Sequence, residues 1–278
     1  MPRLSSNAGQ QSNRCMMNVI AHGAIASSLS NISALRKTTP PSAPSLPKRF
    51  LNHADEQTVM GIHAILNALV SLPEIPSLEH HGIIAASCQA GRIAAAQTLV
   101  KAQHGGGVTV STQIVPQCSL HSIAGAISVG LKMHGPNIGV SGGSSALSEG
   151  LLTACTWLLP SGEIACDTTW VVITGWDDEP TLDETGLPTT DPMCRSVAIG
   201  LTRSNNRSQE REGLCLEFDP CFSNSHVSPG SDLSLRQLGD ALSQCSLTGN
   251  DSRWIHRFPW GGTVRILSRE STSYREAA

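Results

Sequence analysis

The segment GVSGGSS at 139–145 sets three serines and three glycines between two apolar stretches. Before it stands the tetrapeptide NIGV (137–140). After it, Leu147, Leu151, Ala154 and Leu158 recur at helical spacing. A strand that turns sharply into a helix exposes the side chain on the turn and points free backbone N–H groups at one spot. A nucleophile placed there would have support for an oxyanion. Ser141, Ser144 and Ser145 are the candidates; the structural alternative is that Ser144 or Ser145 caps the helix. Read literally, 139–143 is a G-x-S-x-G, the nucleophile-elbow pattern, in the strand-to-helix context that pattern requires. A hydrolase would also need an acid and then a histidine downstream. Asp177, Asp178 or Asp219 could be the acid and His226 or His256 the base, with no local signal to single one out.

The other chemistry-bearing residues read more simply. His121 and His134 stand at the two ends of an apolar helical run, and His63 lies on a helix face. A structural role is expected for each, with His134 favourable at a helix C-terminus when protonated. His80 and His81 precede a strand and read as a surface turn. Asp177, Asp178 and Glu179 end a strand and are closed by Pro180. They read as a solvated turn, although ligands of α/β folds gather at such strand ends. WIHRFPWGG (254–262) concentrates aromatic residues in a chain that is only 4% aromatic. It reads either as a packing plug or as a partner contact.

The elements that must position these residues follow from pattern. The chain has 278 residues, 40% hydrophobic and 15% charged, with net charge −3 and no block of like charge. That composition fits a packed α/β body and excludes a nucleic-acid footprint or a polybasic membrane patch. Nine cysteines are scattered without a CxxC, which implies reduced thiols used as small hydrophobes, no zinc site and a cytoplasmic setting. No apolar run reaches membrane-spanning length. Strands are expected at 17–27, 81–87, 137–140, 170–175 and 195–202, with VTVST (108–112) short and β-branched. Helices are expected at 52–70, 90–103, 119–133 and after the SGG turn. Val59, Ile62, Leu66 and Leu69 mark the buried stripe of the first helix. This alternation predicts a layered α/β fold with a largely parallel sheet. Beyond 203 the pattern weakens to a polar loop at 203–213, the strand candidates LCLEF and TVRIL, and one helix near 233–245.

GPNIGVSGGSSALSEGLLTA resembles the segment around the nucleophilic cysteine of β-ketoacyl synthases, where a Gly-Pro, a short strand and a small-residue turn lead into a buried helix. Upstream, VPQCSLHSIAGAISVGLKMHGPNIGV resembles that family's apolar helix before the Gly-Pro. SLPKRFLNHADEQTVMGIHAILNAL resembles its first helix and HGIIAASCQAG the strand that follows. VVITGWDDEP with SVAIGLT resembles its paired closing strands. The resemblance spans about residues 17–203 and is nearest to short proteins of the β-ketoacyl-synthase-like N-terminal-domain type, some of them chain-length-factor-like.

The resemblance implies a thiolase-like half-fold, βαβαβαββ, with a mixed, mostly parallel sheet flanked by helices. It divides the chain into a disordered leader (1–15), a synthase-like domain (16–203) and a variable extension (204–278). Counted from Gly135–Pro136, the family's cysteine position falls on Ser144, a poorer nucleophile than a thiolate unless a base activates it. The family's HGT-like and GH-like histidine motifs are absent, and the residues after 203 are too few for a complete second half. The expectation is a non-condensing, chain-length-factor-like partner of a catalytic ketosynthase in fatty-acid or polyketide assembly. Acyl carrier protein would be the wider partner, with no cofactor, metal, nucleic acid or membrane. The alternative is a serine-dependent acyltransferase or hydrolase using Ser144 or Ser141. Members of the fold pair through the strand before the nucleophile turn, here 137–141. A dimer, with itself or with a full-length ketosynthase, is therefore expected.

Overall fold

A computed structural model describes residues 14–141, 143–159, 166, 168–203, 213–220, 234–248 and 254–269. Most of the expected leader (1–13), most of the polar loop (204–212), Cys221 and His226 lie outside the described residues. In chain order the elements are β1 (Cys15–Ser28), α1 (Leu29–Leu35), α2 (Glu56–Val70), β2 (His81–Ser87), α3 (Arg92–Gly105), α4 (Ile114–Cys118), α5 (Ser122–Leu131), β3 (Asn137–Val140), α6 (Ala146–Trp157), β4 (Thr168–Trp176), β5 (Met193–Arg203), β6 (Gly213–Asp219), α7 (Leu235–Thr248), β7 (Ile255–Arg257) and β8 (Thr263–Arg269). The expected alternation is present as far as β5. Two short helices, α1 and α4, were not signalled. The β-branched 108–112 segment is no strand: a 3-10 turn, Gly107–Thr109, occupies its start.

One sheet holds all eight strands in the order β3-β2-β4-β5-β1-β6-β8-β7. It is mixed, as expected, but it is not mostly parallel. Only β2–β3 and β2–β4 pair in parallel, and the other five neighbour pairs are antiparallel. The cause is the link from β4 to β5, which holds no crossover helix. Strands joined without a crossover helix usually pair as antiparallel neighbours. β5 then stands between β4 and β1 and runs against both.

Helices cover both faces, which is why the central strands read as unbroken apolar runs. α2 and α5 lie on one face, where Ile62, Ile65, Leu66, Leu69, Ile123 and Ile127 meet Ile83, Trp170 and Val172. α6 and α7 lie on the other, where Leu147, Leu151, Leu238 and Leu242 meet Ile84, Val171, Ile173 and Ile199. α2 is buried nearly all round, His63 included. Asp55 caps it, accepting from the backbone N–H of Gln57 (2.9 Å) and Thr58 (3.2 Å). His81, expected on the surface, is instead the buried first residue of β2, and its Nδ1 accepts from Trp170 Nε1 at 3.0 Å.

The extension after 203 is part of the same body. β6 adds to the first half of β1, and β8 and β7 follow it outward. A register shift between Val19 and Ala21 leaves Ile20 as a bulge in β1, and bulges increase local twist. Phe218, Val264, Ile266, Trp254 and Phe258 from this wing join the cluster around α6 and α7. Phe258 stacks on Trp260 with ring centroids 5.0 Å apart. The aromatic run 254–262 is therefore a packing plug. All eight described cysteines are free thiols, five of them buried. Among the described residues no helix is long and apolar enough to cross a membrane.

The tightest contact between a strand and a helix is at Gly23. A Cβ there would stand 2.4 Å from the carbonyl oxygen of Ala64 and 2.5 Å from the backbone nitrogen of Ala68, both on α2. Backbone atoms cannot step aside as a flexible side chain would. Gly23→Ala is expected to destabilise the chain by about 1–3 kcal/mol, read as a lower urea midpoint at unchanged m-value.

Candidate functional site

The parallel strands β3, β2 and β4 end at a common rim. Their registers pair Ala86 with Val140 and Ser87 with Thr174. Cys88, Ser141 and Asp177 each follow the end of a strand there, where α/β sheets place ligands. Ser141 and Ser144 are both exposed. Gly142 lies outside the described residues, and Gly143 has φ +55°, the left-handed turn that starts a 3-10 turn, Gly143–Ser145. Ser145 takes the N-cap position of α6 but makes no side-chain capping bond. The first glycine of the G-x-S-x-G has a packing role. A Cβ on Gly139 would collide with the Leu120 carbonyl that crosses β3.

Among the described residues no imidazole is hydrogen-bonded to Ser141 or Ser144. The histidine that reaches this helix is His256, from β7. Its Nε2 lies 2.9 Å from the Oγ of Ser148, one helical turn beyond Ser144. The sequence singled out His256 but not Ser148. The helical spacing from Ser144 to Ser148 is visible in the sequence; the return of β7 over α6 is not.

The acids raised as triad members are engaged elsewhere. Arg195 Nε donates to both carboxylate oxygens of Asp177, at 2.7 and 2.9 Å. Asp219 accepts from Arg14 Nε at 3.0 Å. Asp178 is exposed. Glu179 accepts from Arg92 Nη1 at 2.9 Å and from the Cys88 thiol at 3.4 Å. Burial, that bond and the Glu179 charge push the Cys88 thiol up to about 11. The turn that carries Cys88 is tight. Gln89 and Gly91 have φ of +53° and +73°, and a Cβ on Gly91 would meet the Gln117 carbonyl at 2.5 Å. Beneath it Gln57 bridges sheet and turn. Its amide nitrogen donates to the Cys88 carbonyl (2.6 Å) and its amide oxygen accepts from Thr174 (2.7 Å).

The remaining histidines divide. His63 Nε2 lies 2.9 Å from the Leu35 carbonyl, and burial lowers its pKa. His134 is exposed, and its backbone N–H donates to Glu79. His121 stands at the mouth of an open cleft of about 460 Å³ between the start of α2 and α4 and α5. The lining is largely apolar, with Phe50, Pro116, Ala126 and Val129 opposite Asp55 and Thr58. Burial raises the Asp55 carboxyl against its hydrogen bonds and the Arg36 charge.

No family model matches the sequence, and no curated protein matches it. Solved structures do. A chain of the ketosynthase ApeO in complex with its chain length factor ApeC, from Xenorhabdus doucetiae, aligns at TM-score 0.53 and 16% identity. The alignment covers 91% of this chain and 99% of that one. The ishigamide ketosynthase/chain length factor aligns at TM-score 0.49 and 13% identity, over 72% of this chain and 65% of that one. A β-ketoacyl synthase from Burkholderia phymatum aligns at 0.47 and 12%, over 68% and 59%. The chain thus spans less than two thirds of the length of these last two. At such identities the likeness is one of fold, and the fold is the ketosynthase one.

Two consequences are measurable. With a thiol pKa near 11, Cys88 holds a thiolate fraction of about 10⁻³ at pH 8, against roughly a quarter for an ordinary cysteine. Alkylation of Cys88 by iodoacetamide is expected to be slow, and Glu179→Gln is expected to accelerate it several-fold, read by peptide mass spectrometry. Asp55 binds its proton more tightly folded than unfolded. Its contribution is therefore full below the ordinary carboxylate value of 3.8 and is lost as pH rises through the raised folded value. Asp55→Asn keeps a capping oxygen, so its melting temperature should gain on that of the natural chain as pH goes from 4 to 8.

Proposed function

We propose that this chain, which has the ketosynthase fold, is a non-condensing, chain-length-factor-like partner of a full-length ketosynthase in fatty-acid or polyketide assembly. The observation that carries the reading is an arm without a core. Between Ile93 and Ile123 no residue is buried, although the segment contains α3 and α4. Leu99, Val108, Val115 and Leu120 are 58–92% exposed along it. Beside this arm β3 pairs, among the described residues, only with β2, and Ile138 on it is exposed. A strand at the end of a sheet beside exposed apolar side chains is a surface that a partner covers. The ApeO–ApeC structure is of a ketosynthase with its chain length factor, and that pairing supports the same arrangement here.

The rim supports the non-condensing half of the proposal. Ser144 stands where the resemblance places the family's cysteine, and a serine without a base is a weak nucleophile. The apolar cleft beside α5 would border the acyl chain held by the catalytic partner, with acyl carrier protein delivering that chain. A cytoplasmic location belongs to the same proposal. The alternative, acyl transfer or hydrolysis from Ser144 or Ser141, is favoured by their exposure on the turn alone.

Co-expression of the tagged chain with a full-length ketosynthase from the same cell should give a 1:1 complex by light scattering. Ile138→Lys and Val115→Lys together should weaken it about tenfold or more without lowering the melting temperature of the chain. A self-dimer, or a monomer that ignores the ketosynthase, would refute the proposal.

A further inference from the structure

The contact between Ser148 and His256 joins a hydroxyl in the first turn of α6 to an imidazole brought from residues 108 positions away, Oγ to Nε2 at 2.9 Å. His256 is 6% exposed. Its ring is stacked against Trp254 (centroids 6.1 Å, interplanar angle 18°) and meets Phe258 edge-on at 5.1 Å. These two aromatic walls fix the orientation of the ring. Ser148 is only partly covered, so the hydroxyl is at the margin of the wing while the base lies inside it. A nucleophile and a base within hydrogen-bond reach, with the base held by its surroundings, is the arrangement that activates a serine. Ser148 also lies at the helix end whose backbone N–H groups have no partner within the helix, the end that favours developing negative charge.

We propose that Ser148 and His256 form an acyl-transfer pair acting on small activated acyl esters or thioesters. In the tautomer with Nδ1 protonated, Ser148 donates to Nε2. The hydroxyl oxygen forms a bond to the acyl carbonyl carbon, and its proton passes to Nε2. The bond from that carbon to the leaving oxygen or sulfur then breaks, and the proton on Nε2 goes to the leaving alkoxide or thiolate. The product is an O-acyl serine. Water completes the cycle: its oxygen bonds to the acyl carbon and its proton passes to Nε2, then the bond from that carbon to the Ser148 Oγ breaks, the Nε2 proton goes to Oγ, and the carboxylic acid leaves. The activity is independent of the partner role, because the pair lies on α6 and the wing and not on the α3–α4 arm or β3.

The test is labelling of the full chain with an alkyl fluorophosphonate, with the adduct located by peptide mass spectrometry. The expected result is an adduct on Ser148, absent from Ser148→Ala and unchanged in Ser144→Ala and Ser141→Ala. His256→Gln keeps a side-chain amide where Nε2 stood but supplies no base. With its melting temperature retained, it should slow labelling about 100-fold or more. Should His256→Gln lose its fold, the natural chain still decides. No adduct on Ser148, an adduct on Ser144 or Ser141 instead, or labelling of Ser148 that a folded His256→Gln leaves undiminished would each overturn the proposal.

Discussion

The wing on the α6 side of the sheet depends on the ladder between β1 and β6. β1 is fourteen residues long and serves two partners. From Met17 to Ser28 it pairs with β5 in the ketosynthase-like part of the sheet. Residues 15–18 also pair with β6. Without that second ladder, β8 and β7 would have no strand to build on, and Phe218, Phe258 and Val264 would leave the cluster around α6 and α7. The bulge at Ile20 lies just beyond Met17 and Asn18, the residues that serve both partners, and a bulge adds local twist there. A buried carboxylate ties the wing further: Glu217 pairs with Arg265 on β8 and with Arg14 just before β1.

The two flanks of the sheet are finished differently. On the wing side the chain packs five aromatic rings, counting His256, around one another. On the β3 side it stops. Four residues of β3 end the sheet, and the α3–α4 arm buries almost nothing: α3 buries Ile93 alone and α4 buries none. Ordering those thirty residues costs chain entropy that their own contacts do not offset. The asymmetry sets an exposed apolar arm beside β3 against a packed aromatic wing beside β7. It also explains why α6, which the resemblance casts as a buried helix, carries Glu149 and Thr156 on an exposed stripe. Here β2 and β4 bury one face of α6, while Glu149 and Thr156 meet water.

Local pattern reached the elements but not their neighbours. Val59, Ile62, Leu66 and Leu69 were readable because a helix repeats every 3.6 residues, and all four are buried. LCLEF and TVRIL were readable as strands, but LCLEF pairs with β1 across nearly 200 positions and TVRIL then pairs with LCLEF, and no local signal specifies either partner. Sheet direction was misread for the same reason. Alternation suggests parallel crossovers, and only the helix-free link before β5 argues otherwise. His81 looked exposed because it follows another histidine; Trp170 buries it and supplies the donor that makes burial tolerable. At the site, the turn carrying Ser141 and Ser144 was legible as a turn. The pairing of Ser148 with His256 needed the wing.

The same physics that leaves Ser144 without a base silences the thiol nearest to it in the fold's logic. Cys88 closes β2, the strand that β3 pairs with, and a thiolate there would be the strongest nucleophile on the rim. Burial and the Glu179 carboxylate hold it protonated, and Arg92, which could favour the thiolate, is instead bound to Glu179. Ser141 and Ser144 are reachable but unactivated; Cys88 is near but neutral. Reactivity on this face therefore moves one turn along α6, to the one hydroxyl that the wing supplies with an imidazole.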